Sequence, residues 1–213
     1  MSIMKTLSGK EQANLGYIAT SLKLPFVLLL ALTSSVYGAP VKSPDIKQNP
    51  HPKLRYEITL VIKDAPGPFD SIAGSVDYKV ENDRCVPLTP ISGATVAPEK
   101  SVPLVFTRIS DNLYKGTLYT DLMQDEDYYG MGVCHWAMVG AGVDLKVKNV
   151  DFSPSIFLKD IFARQSVTRY FSNRSYFSAD LARVDIGNVN RSDFEEEAKE
   201  TFSVTLMVEE ESQ

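Results

Sequence analysis

Residues 54–63 alternate along their length. Leu54, Tyr56, Ile58, Leu60 and Ile62 fall on one side, and Arg55, Glu57, Thr59 and Lys63 on the other. Period two places successive side chains on opposite faces of an extended backbone, so this stretch predicts a half-buried β-strand. Asp64-Ala65-Pro66-Gly67-Pro68 ends it, because two prolines remove ladder donors. The pattern returns in residues 72–80, with Ile72, Val76, Tyr78 and Val80 on one face. Residues 103–109 and 113–119 flank Ser110-Asp111-Asn112, a short hairpin connection.

Residues 132–139 put Cys134, Trp136 and Met138 on one face and His135 on the other. Gly140-Ala141-Gly142 reads as a tight link into a second hairpin arm, where Val143, Leu145 and Val147 alternate with Asp144, Lys146 and Lys148. Near the C-terminus Phe202, Val204, Leu206 and Val208 alternate with Ser203, Thr205 and Met207. Residues 87–101, rich in Pro, Ser, Gly and Thr, read as a long loop; 152–162 fit a strand or a short helical turn. Residues 165–177 read as a strand with an irregular aromatic tail, and 178–193 mostly as loop. About eight short strands and no long helix predict an all-β fold, an antiparallel β-sandwich or flattened barrel.

The N-terminus carries a different signal. Residues 24–32, LPFVLLLAL, follow Lys23 and lead to the small residues around Gly38 and Ala39. A basic start, a short apolar run and small residues at a cut are the parts of an export signal, predicted to end at Gly38. The run is shorter than the ~20 residues a spanning helix needs, so a retained anchor is the lesser alternative. Residues 39–53 hold four prolines and read as a loosely ordered leader in which His51 is solvated; residues 54–213 form one domain. The expected location is periplasmic or secreted.

In an exported chain two cysteines imply one disulfide, Cys85–Cys134. Closing a loop of roughly fifty residues stabilises by about 4 kcal/mol in the chain-entropy model. Trp136, on the same face as Cys134, is expected to pack over the bridge. Neither cysteine has a C-x-x-C neighbour, and Cys134 and His135, adjacent on a strand, point to opposite faces.

Charge narrows the partners. The chain carries −5, and the segment before Ala39 holds Lys5, Lys10 and Lys23 against Glu11; its removal leaves −7. That balance disfavours nucleic acid and anionic membranes. With two histidines and no G-x-S-x-G, H-E-x-x-H or phosphate loop, no catalytic residue, cofactor or metal is assigned. Asp121, Asp125, Glu126 and Asp127 are the densest carboxylates, open to three readings: a solvated acidic loop, a contact surface, or a calcium site. Tyr128 and Tyr129 beside them favour contact, since tyrosine combines large area with a polar tip. Arg164, Arg169, Arg174, Arg183 and Arg191 interleave with Tyr170, Phe171, Tyr176 and Phe177, a composition shared by interfaces and by strands whose aromatics face the core. Asn173-Arg174-Ser175 and Asn190-Arg191-Ser192 are glycosylation sequons, relevant only in a eukaryotic secretory host. Residues 193–200 and 209–211 are acidic runs of the kind found on solvated faces.

ENDRCVP (81–87) and DEDYYGMGVCHW (125–136), with YEITLVIKDAPGPF (56–69) before them, resemble uncharacterised exported proteins of Gram-negative bacteria. Some of these lie beside type VI secretion effectors, including phospholipase toxins. The resemblance spans roughly residues 56–157 and implies a periplasmic immunity protein that occludes a toxin. The expected contacts are Asp125, Glu126, Asp127, Tyr128 and Tyr129, with Arg169 and Arg174. The alternatives are a carboxylate-dependent hydrolase of envelope glycan and a structural or adhesion module of the envelope.

Overall fold

A computed structural model describes residues 44–211 except Ile91 and Ala179, and not the side chains of 196–198. The export segment expected over 1–38, and residues 39–43 of the leader, lie outside the described residues. No helix among the described residues is long and apolar enough to cross a membrane.

The fold is all-β, with two packed sheets and one disulfide. Eleven strands are described: β1 (Arg55–Lys63), β2 (Ser71–Val80), β3 (Glu99–Leu104), β4 (Phe106–Ser110), β5 (Leu113–Tyr119), β6 (Trp136–Val147), β7 (Val150–Phe152), β8 (Ser155–Phe157), β9 (Val167–Ser172), β10 (Arg183–Asp185) and β11 (Thr201–Glu210). Two one-turn helices, α1 (Leu158–Phe162) and α2 (Asn173–Phe177), flank β9. One sheet runs β4-β5-β1-β11-β9, the other β10-β7-β6-β2-β3 with β8 also paired to β6. Neither closes on itself. The strand pairs are antiparallel except β7 with β10, which is parallel.

Two crossings tie the sheets at their sides. Val105 alone separates β3, an edge of one sheet, from β4, an edge of the other. On the far side β10 pairs with β7, and three residues later Asn188 exchanges backbone hydrogen bonds of 2.9 Å in both directions with Tyr170 of β9. Strands that change sheet in this way form the corners of packed sheets.

The alternating residues fill the space between the sheets. Tyr56, Ile58, Leu60 and Ile62 of β1 and Phe202, Val204, Leu206 and Val208 of β11 are buried. They face Val76 and Tyr78 of β2 and Met138, Val143, Leu145 and Val147 of β6. One end is plugged by aromatic rings. Phe152, Phe171 and Phe202 meet at centroid distances of 5.2–5.3 Å, with Phe69 and Tyr176 at their edge.

The tight link expected at 140–142 is absent: β6 runs unbroken through it. The glycines there serve close approach instead. A Cβ on Gly140 would lie 2.6 Å from the Ile156 carbonyl oxygen, so glycine lets β8 pack against β6. The extra residue is Val139, left without a partner where the β2–β6 register shifts, a bulge that turns its side chain outward.

The leader also differs from expectation over its described part. Gln48 bridges Met123, Asn49 N–H donates to the Leu122 carbonyl at 2.7 Å, and Gln124 N–H donates to that of Lys47 at 3.0 Å. Proline spacing gives no sign of this, because the partners come from a segment more than seventy residues away.

Candidate functional site

The end opposite the aromatic plug gathers the start of β1, the ends of β2, β5 and β11, and the start of β6. It carries residues 44–54, 81–98 and 120–135, joined by the Cys85–Cys134 disulfide with a Cα separation of 5.3 Å. Cys85, Cys134, Val80 and Val86 form a small core of their own, and Trp136, Tyr128, Tyr129 and Ala97 pack against it. Trp136 thus covers the bridge, with Tyr128 edge-on to its indole at 6.4 Å.

Each carboxylate of the acidic stretch turns to its own chain. Asp121 accepts from the backbone N–H of Lys53 at 2.8 Å and of Leu54 at 3.0 Å, one oxygen each. Asp125 accepts from Trp136 N–H at 2.9 Å and lies 2.7 Å from His135 Nδ1. Glu126 takes both its oxygens to Lys47 Nζ, at 2.7 and 2.9 Å. Hydrogen bonding to Glu126, then its charge, raises the Lys47 ammonium above its ordinary value. Asp127 accepts from Met131 N–H at 3.0 Å. The Tyr128 hydroxyl donates to the Gln124 carbonyl at 2.7 Å, and burial raises its pKa as it does that of Tyr129. No group of three or more His, Cys, Asp or Glu suited to a metal ion occurs among the described residues.

Asn82, of the ENDRCVP stretch, binds the two loops together, a role the sequence did not assign to it. Its Nδ2 donates to the Val133 carbonyl at 2.8 Å and its Oδ1 accepts from His135 N–H at 2.7 Å. An asparagine side chain can bond a neighbouring strand as a backbone amide does, but nothing in the local sequence says which strand. Between these anchors the chain runs through Gly130 (φ +72°) and Gly132 (φ +107°), conformations costly for side-chain-bearing residues. Met131, 52 % exposed, and Val133, 46 % exposed, stand at this tip. Leu88, which bridges Thr95, and Val96, next to Thr95, are exposed on the neighbouring loop. Tyr129 also lines a cleft of about 490 Å³ with Pro44, Ile46 and residues 96–99.

The two arginines lie elsewhere. Arg169, on β9, pairs across the ladder with buried Val204; directly opposed residues share a face, so its side chain leaves the inward face at the sheet edge. Arg174 is in α2, beyond the other end of β9, where its N–H donates to Ser172 Oγ at 3.1 Å. Sequence placed both beside aromatics, and the aromatics divide: Phe171 is buried, while Arg191 lies over the Tyr170 ring at 5.8 Å.

No protein-family model matches the chain, and no curated protein or solved structure shows significant similarity to it.

Proposed function

We propose that the chain is a non-enzymatic binding protein of the periplasm or the exterior, an immunity-type inhibitor that occludes a secreted toxin. In this reading an antiparallel sandwich is the rigid frame and its disulfide end the contact surface. The observation that carries it is the braced tip. Asp125, Glu126, Asp127 and Asn82 hold the backbone around 126–135 while Met131 and Val133 stay exposed. A loop already held in its bound form loses less conformational freedom on association, which favours tight occlusion. Exposed apolar side chains at a rigid tip suit insertion into a partner's cleft.

The carboxylates therefore act in this reading as braces, and Met131 and Val133 as contacts, with Tyr129 at the flank. A glycan hydrolase would need two carboxylates free to meet substrate in a cleft. Asp121, Asp125, Glu126 and Asp127 are instead each engaged by their own chain. The disulfide agrees with an oxidising compartment.

Capture tests the proposal. The oxidised chain, immobilised, is exposed to extract from cells with active secretion systems. One secreted enzyme bound at 1:1, losing activity as the chain is titrated in, supports the inhibitor. Binding of no enzyme, or turnover of cell-wall glycan by the purified chain, sinks it.

A further inference from the structure

β11 outlasts its neighbour. Its pairing with β9 ends at Leu206–Val167, whereas its pairing with β1 continues to Glu210–Tyr56. Arg164, at φ +52°, and the turn after α1 lead the chain away, with Gln165 N–H donating to the Asp160 carbonyl at 2.9 Å. What remains beside residues 207–210 is a notch of about 690 Å³ lined by Arg164, Ser166, Met207, Val208, Glu209 and Glu210.

The backbone alternation says which groups face it. Glu211 N–H donates to the Arg55 carbonyl at 3.0 Å, so Glu209 and Met207 also turn their peptide groups toward β1. Val208 and Glu210 then direct N–H and C=O the other way, into the notch, where the β9 ladder has ended. These are the unpaired donors and acceptors of a sheet edge, set back in a groove.

The charges around the notch are unbalanced. Glu57 and Glu209 lie directly opposite each other in the β1–β11 ladder, an unfavourable pair on one face. Lys115 Nζ answers Glu57 at 2.5 Å, and Arg164 lies 3.5 Å from Glu210. Glu209 makes no ion pair within 4 Å among the described residues and feels Lys115, already bonded to Glu57, only at longer range. Met207, beside it on the same face, is 37 % exposed.

We propose that this notch takes an extended, basic segment of a protein partner, which adds as a strand beside residues 207–210 of β11. The added strand exchanges hydrogen bonds with the backbone of Val208 and Glu210. A strand in line with β9 runs antiparallel to β11, so its residue beside Glu209 precedes its residue beside Met207. The segment recognised is therefore Lys or Arg, any residue, then an apolar one. Main-chain bonding gives strand addition its affinity and the alternate side chains its selectivity. This inference rests on the reading of the chain as a protein-binding module, but it concerns a different surface from the Met131–Val133 tip.

The test is an NMR titration of the folded, oxidised chain with the capped peptide Thr-Lys-Val-Val-Thr, and with its counterpart carrying Glu for Lys. The expected result is millimolar binding of the lysine peptide, with shifts and slowed exchange at the Val208 and Glu210 amides. The glutamate peptide binds at least fivefold more weakly. Glu210→Pro removes a donor that faces the notch and none that faces β1, and abolishes binding; Glu210→Gln retains it. Glu209→Lys reverses the preference between peptides, which keeps the test decisive should the proline variant unfold. Shifts confined to other residues, no shift at all, or equal binding by Glu210→Pro overturns the proposal. So does protection of the same amides without peptide in a self-associating protein, which would make a second copy the occupant. The titration reads the notch alone, so its failure leaves a result at the Met131–Val133 tip standing, and the reverse holds.

Discussion

The Tyr78 hydroxyl donates to the Tyr119 carbonyl oxygen at 2.5 Å, a side-chain bond that joins β2 of one sheet to β5 of the other. Tyr78 is 1 % exposed and the bond is part-buried, so water competes with it less than at the surface. Tyr78→Phe keeps the ring and leaves the part-buried Tyr119 carbonyl without this donor, and should cost about 1–3 kcal/mol in urea unfolding. Loss of under half a kilocalorie would show that the bond contributes little.

The same residue sets an alkaline limit. Burial, then the carboxylates of Asp121 and Asp77, raises the Tyr78 pKa far above the ordinary tyrosine value. Below about pH 10 the phenol is protonated in both states and its contribution is complete. As pH rises past 10 the unfolded chain releases the proton and the folded one keeps it, so stability falls by up to about 1.4 kcal/mol per pH unit until the folded pKa is reached. Between pH 10 and 11.5 the stability of Tyr78→Phe should fall less steeply than wild type, by about one proton's worth of slope. Equal slopes would contradict the burial of that phenol.

Asp121 anchors the leader through Lys53 and Leu54. Charge-assisted bonds of this kind contribute about 1.5–3 kcal/mol each. Asp121→Ala should speed amide exchange at Lys53 and Leu54 by tenfold or more while β6 amides stay protected. Uniform acceleration across the chain would instead mean global destabilisation.

Gly140 and Gly142 make a paired test. Gly140→Ala drives a Cβ into the Ile156 carbonyl, whereas a Cβ at Gly142 meets only ordinary contacts, the nearest at 3.6 Å from Ser155 Oγ. The first should cost about 1–3 kcal/mol and the second should be near neutral or slightly stabilising. Thermal melts of the two variants decide, and equal effects would contradict the close approach of β8.

The strands were legible where one face is buried and the other wet. β1, β2 and β11 alternate in sequence because Ile58, Tyr78 and Leu206 face the core while their neighbours face solvent or the next strand. The disulfide followed from two cysteines in a chain expected to be exported. What stayed hidden was set by distant partners. Gly140 and Gly142 resemble a turn, and only the arrival of β8 shows that they admit a backbone. The carboxylates of residues 121–127 look solvated because no local pattern reveals Lys47, Lys53 or Trp136 as their partners. β10 is too short to show a period, and only its pairing with β7 defines it. Asn82 lies in the ENDRCVP stretch, but nothing there gives its partners Val133 and His135, since any loop contains such residues.

The braced acidic stretch also changes what a charge reversal would report. Reversing Asp125 or Asp127 would free the Trp136 or Met131 amide and disturb the loop itself, so a loss of binding there would not separate contact from scaffold. Met131 and Val133 make that separation, because their exposed side chains carry no brace. The direct measurement is a side-by-side capture from one extract with two baits, wild type and Met131→Asp/Val133→Asp, both checked for folding by circular dichroism. One stoichiometric protein partner is expected on wild type, with at least a tenfold depletion of it on the variant. Equal capture by the folded variant, or no stoichiometric partner on wild type, would contradict it.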